Sequence, residues 1–116
     1  MSGRNNQQRL EDMLQAIQRA RSYTQGLNYT TFQTDLKTQD ATLRALEVLG
    51  EASKAVSADL QQKFPEIPWK SIAGQRDKLI HHYFGVNLDI VWEVVTLDLP
   101  LLERQIQEIL NQMFPP

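Results

Sequence analysis

Leu10, Met13, Leu14, Ile17 and Ala20 recur at steps of three and four, the mark of an amphipathic helix that buries one stripe. Gly26 is a natural terminator for it. The next stretch, LNYTTFQT to Thr34, has no helical period and two adjacent β-branched threonines, so it reads as a loop. The apolar stripe resumes from about Asp35 or Thr38 to Lys63 with Leu43, Leu46, Leu49, Ala52, Val56 and Leu60, and Pro65 stops it. Gly50 interrupts this second helix at a cost of up to about 1 kcal/mol relative to Ala. Beside the small residues Ala52 and Ser53, it is either a tolerated glycine or a place where another helix comes close.

The prolines of FPEIPW, Pro65 and Pro68, demand an ordered corner. Ser71 then serves as the N-cap of a short third helix to about Tyr83, ended by Gly85. Asn87 or Asp89 starts a last segment whose stripe runs through Leu88, Val91, Trp92, Val95, Leu99, Leu102, Ile106, Ile109, Leu110 and Met113. Its phase passes straight through Pro100, which favours one long helix kinked there over a new helix beginning there. Since no segment alternates apolar and polar residues as a half-buried strand does, the class is all-α. The expected architecture is an up-down bundle of four to five helices in a single domain, 1–116.

Composition changes this picture little: 41% hydrophobic and 22% charged residues in a chain of 116 describe an ordinary globular domain. The absence of cysteine removes thiol catalysis, disulfides and the common zinc clusters. The chain carries no apolar run long enough to span a membrane, and its first residues, MSGRNNQQRLED, lack a secretory apolar core, so a cytoplasmic protein is expected. The net charge of −2 does not announce a nucleic-acid binder. Locally the balance reverses, because Lys70, Arg76 and Lys78 face only Asp77 between Lys70 and His82.

That basic stretch holds both histidines of the chain, in RDKLIHHYFG from Arg76 to Gly85. At 100° per residue Arg76 and Tyr83 share a helix face, whereas His81 lies about 140° from Arg76 and about 200° from Tyr83. One straight helix therefore cannot aim all three at one atom, so for them to act together either the helix opens near Gly85 or a second copy of the chain completes the site. Asp77 stands four residues before His81, where its carboxylate raises the imidazole pKa and orients the ring. Lys78 opposes protonation of His82 at the same spacing, which leaves His81 as the better general acid or base. An arginine to clamp phosphate, a histidine to move a proton and a tyrosine to donate a hydrogen bond form a workable set for RNA cleavage by the substrate's own 2′-hydroxyl. On spacing alone, a solvated polar helix end explains the same residues. Adjacent histidines point about 100° apart and have no third ligand at helical spacing, so neither a metal site nor a cofactor is expected. Trp92 falls on the core stripe; Trp69 covers the third helix or an interface; Tyr23 and Tyr29 belong at the core edge, with base stacking as the alternative.

RDKLIHHYFGVNLDIVWEVV resembles the signature region of the HEPN superfamily, and more closely its HepT-like proteins, whose motif is Arg, four to six residues, His, any residue, Tyr. Here it reads Arg76, four residues, His81, His82, Tyr83, with Asp77 as the polar residue after the arginine. LEVLGEASK, the FPEIPW corner and VNLDIVWEVVTLDLPLLERQIQEIL are similar to the corresponding HepT segments, so the likeness covers roughly residues 8 to 112. It implies a HEPN-like helical homodimer with a composite cleft between two motifs. It also implies a metal-independent ribonuclease toxin, of a kind that in some cases acts on tRNA, paired with an MNT-type nucleotidyltransferase antitoxin that silences it by AMPylation of Tyr83.

In that frame Arg76, Asp77, His81 and Tyr83 are the catalytic candidates, and Lys78 and His82 the substrate-binding ones. Many relatives carry a small residue where this chain has His82, a departure that bears on the substrate more than on the reaction. Two rivals share the same motif: a non-catalytic module holding a nucleotide or RNA end, and a purely structural partner of the nucleotidyltransferase.

Overall fold

The computed structural model describes residues 4–75 and 87–116. Helix α1, Asn6–Thr24, opens with a capping box in which Asn5 accepts from the Gln8 backbone and the Gln8 side chain accepts from the Asn5 N–H. It buries Leu10, Met13, Ala16, Ile17 and Ala20, and the chain turns away at Gly26, whose φ of 80° suits a residue without Cβ. Helix α3, Leu36–Ala55, is capped by Asp35 and buries Ala45, Leu46, Leu49 and Gly50.

Contacts at their ends fix the directions. Arg9 near the start of α1 donates to the Ala55 carbonyl at the end of α3, so these two helices are antiparallel. Arg21 near the end of α1 bonds Glu103 at 2.6 Å, close to the start of α7, Leu99–Met113, which therefore also runs against α1. Leu99, Leu102, Ile106, Ile109 and Leu110 of α7 complete the core. The described residues thus form the all-α bundle expected from periodicity, with no strand among them.

Four local expectations need correction. The segment read as a loop holds a short helix, α2, Tyr29–Thr34, started by a second capping box between Asn28 and Thr31. Its single fully buried side chain, Phe32, fastens it to the core, and the buried Gln39 amide donates to the Phe32 and Gln33 carbonyls. One buried residue in six leaves no period to detect.

The second helix does not reach Lys63 unbroken. Val56 turns extended with ψ 137°, and Ser57 caps a new helix, α4, Ala58–Lys63. The cause lies elsewhere in the chain: Asn6 donates to the Ser57 hydroxyl at 2.9 Å and accepts from its N–H at 3.0 Å. Val56 and Leu60 stay buried across the break, which is why the stripe looked continuous.

Helix α5, Trp69–Ala73, starts at Pro68, so Ser71 lies inside it and is not its N-cap. The continuation expected to Tyr83 and Gly85 falls outside the described residues. Finally, the chain stays helical from Leu88 to Met113, as the unbroken stripe requires, but the irregularity precedes Pro100. Helix α6, Leu88–Glu93, passes into a π-helical turn, Val94–Asp98, where the Leu99 N–H donates to the Val94 carbonyl. Pro100 then falls in the first turn of α7, where its missing N–H costs least.

Candidate active-site region

All six candidate residues, Arg76, Asp77, Lys78, His81, His82 and Tyr83, lie outside the described residues. The structure instead defines the two anchors between which the chain must carry them, Gln75 and Asn87, and what holds each anchor.

The upstream anchor is the end of α5. The proline corner folds so that Ile67 and Trp69 are buried, and the Trp69 indole N–H donates to the Phe64 carbonyl at 3.0 Å. This uses the one polar group of an otherwise apolar side chain, and places Trp69 in the core. Helix α5 rests directly on α3 at Gly50, where a Cβ would stand 3.2 Å from the Ile72 carbonyl oxygen and 3.7 Å from that of Ala73. Of the two readings of this glycine, the close approach is the one realised. Gln75 ends the described part of this segment with its Oε1 buried and without a partner among the described residues.

The downstream anchor is the first turn of α6. The Asn87 side chain accepts from the Ile90 N–H, which makes Asn87, of the two expected starts, the cap and leaves Asp89 in the first turn. Trp92 packs its ring against Phe32 with centroids 5.1 Å apart and against Tyr29 at 6.1 Å, a core-edge cluster joining α2 to α6. The Tyr29 hydroxyl donates to the Asp89 carboxylate, and that bond, with some burial and the nearby negative charge, raises the Tyr29 pKa. Tyr29 and Asp89 are 60 residues apart, so no local spacing could have paired them.

Two clefts flank α5. One is lined by Ile72, Gln75, Leu97, Leu101 and Leu102 among others, and its rim leaves Leu97 and Leu101 66% and 51% exposed. The other, an open groove across α3, α4 and α5, carries Lys54 and Lys70. Among the described residues no three imidazole or carboxylate groups are placed to share a metal ion. Nor is any described helix long and apolar enough to cross a membrane.

With this framework in place, a family model described as ribonuclease HepT-like matches residues 13–109. The chain belongs to the HepT-like family. Its relatives include a probable ribonuclease HepT of Thermococcus cleftensis, 43% identical over 100 residues that make up 86% of this chain and 91% of the relative. A protein of Methanocaldococcus jannaschii named as an inferred RNase is 41% identical over 104 residues, 90% of this chain and 86% of its own length. A third, an inferred RNase of Caldanaerobacter subterraneus subsp. tengcongensis, is 42% identical over 103 residues, 89% and 92% of the two chains. No solved structure matches the chain. The matched span of this HepT-like protein includes both anchors and everything between them.

Proposed function

We propose that this HepT-like chain is a metal-independent ribonuclease and the toxin of a toxin–antitoxin pair. One observation carries the reading: the Arg76, His81, Tyr83 motif stands inside the span, residues 13–109, that the family model matches. Relatives named as ribonucleases over nearly their whole length support it.

In this mechanism Arg76 neutralises the scissile phosphate with a guanidinium that presents two N–H groups at once. The 2′-oxygen attacks phosphorus as the bond to the 5′-oxygen breaks, leaving a cyclic phosphate and a 5′-hydroxyl. His81 moves the proton, with its ring oriented by Asp77, and Tyr83 donates a hydrogen bond to the phosphoryl oxygen. Lys78 and His82 hold the flanking RNA.

A straight helix with this spacing would not converge these groups, and in this reading two copies meet at their motifs to form a composite cleft. The exposed Leu97 and Leu101, on the helical rod that follows the motif, support a buried face between copies. An MNT-type nucleotidyltransferase silences the toxin by transferring AMP to Tyr83, which sets a phosphodiester where the RNA phosphate binds.

RNA cleavage in EDTA by wild type and His81→Ala tests the reading. Loss of cleavage in the variant is the expected result, and equal cleavage by both proteins overturns it. Intact mass after co-expression with the transferase reads the modification, as an increment that Tyr83→Phe abolishes.

A further inference from the structure

The groove over α5 differs from four other clefts of this mildly acidic chain in having no carboxylate in its lining. Four other clefts formed by described residues each include a carboxylate, from Glu103, from Glu66 and Asp98, from Glu103 and Glu108, and from Asp12 and Glu51. The lining of the α5 groove contains Lys54 and Lys70 and no acidic residue. Among the described residues neither lysine has a carboxylate within ion-pair distance.

Two carbonyl acceptors beside the groove are already bonded. Carbonyls at the C-terminal end of α3 would repel an anion, but the Gln61 amide donates to those of Ser53 and Val56 at 3.3 and 3.0 Å. What faces outward is two ammonium groups, the Ser71 hydroxyl, the Gln62 amide and the exposed ring of Pro68. These are hydrogen-bond donors set beside an apolar surface, the requirement for holding a phosphodiester and its sugar.

We infer that Lys54 and Lys70 form a subsite for the RNA backbone, contacting phosphates away from the one that is cleaved. The inference rests on the ribonuclease reading for its ligand. Lys70 lies six residues before Arg76, so whatever path the chain takes the two are at most about 21 Å apart. A single strand can span that gap with a few nucleotides. Contacts of this kind carry no base preference and act through released counterions.

The test uses the full chain and a fluorescent 2′-O-methyl oligonucleotide of 20 residues, which has no free 2′-hydroxyl and so reports binding without cleavage. Each phosphate contact to a single strand adds about 0.7 to the slope of log affinity against log salt. Lys54→Gln with Lys70→Gln is therefore expected to lower the slope by about 1.4. Between 50 and 200 mM salt wild type then loses about seven-fold more affinity than the double variant. Both side chains are exposed, and an unchanged melting temperature confirms that the fold is intact.

An unchanged slope overturns the subsite even if wild type cleaves RNA, whereas a reduced slope in a protein that cleaves nothing upholds the subsite and sinks the nuclease reading. Competition by polyglutamate as potent as by unlabelled oligonucleotide overturns the assignment in favour of an acidic protein partner.

Discussion

The contact between α3 and α5 has no side chain at its centre, and enlarging Gly50 measures how much the region leading to the motif depends on that. Alanine there brings about 1 kcal/mol of helix propensity in its favour. Its Cβ would meet the Ile72 carbonyl oxygen at 3.2 Å, so the α5 backbone must retreat by a few tenths of an ångström. These effects oppose each other, and Gly50→Ala is expected within about 1 kcal/mol of wild type. Leucine has no such balance. Its added carbons enter the space of α5 itself, where overpacking costs about 1–3 kcal/mol, against a propensity gain of about 1 kcal/mol. The net loss of up to about 2 kcal/mol, at roughly 4 °C per kcal/mol for a chain of this size, should make Gly50→Leu melt up to about 8 °C below wild type. Thermal denaturation followed by circular dichroism reads this directly. If the leucine variant melts at or above the wild-type temperature, the helices do not meet at Gly50 and the account of the upstream anchor fails.

Thr42 is fully buried, and its hydroxyl has no partner among the described residues. Thr42→Val removes that unsatisfied group at nearly constant shape and should stabilise by about 1 kcal/mol; a loss of stability in urea titration would show that the hydroxyl is bonded. Asp35 caps α3, and the Thr38 hydroxyl and backbone N–H donating to its carboxylate lower its pKa. A lowered folded-state pKa means stability that is present above the ordinary value near pH 4 and lost as pH falls through the lowered one. Asp35→Asn should therefore flatten the acid limb of stability against pH, and an identical profile would refute the linkage. Under the proposed two-copy cleft, replacing the exposed Leu101 by Glu is expected to shift the protein toward monomer in light scattering and to reduce RNA cleavage with it; an unchanged mass with full activity would refute a face between copies at Leu101.

What the sequence determined alone is whatever depends on near neighbours. Three- and four-residue steps placed the stripes of α1, α3 and α7, the start of α6 was narrowed to Asn87 or Asp89, and Gly50 stood out because a helix interior disfavours glycine. The motif from Arg76 to Tyr83 was legible too, as residue types at a spacing, and it lies within the residues that the family model matches.

Only the tertiary structure decided the rest. A helix ends at Val56 because Asn6, 51 residues earlier in the chain, binds Ser57. Tyr29 acquires its partners Asp89 and Trp92 because α2 is folded against α6, and α2 itself persists through one buried phenylalanine and its caps. The basic groove joins Lys54 to Lys70 across two helix breaks. Apart from the local Asn28–Thr31 capping box of α2, the energy in these cases comes from groups far apart in the chain that meet only after the core has formed, and periodicity within a dozen residues carries no trace of them.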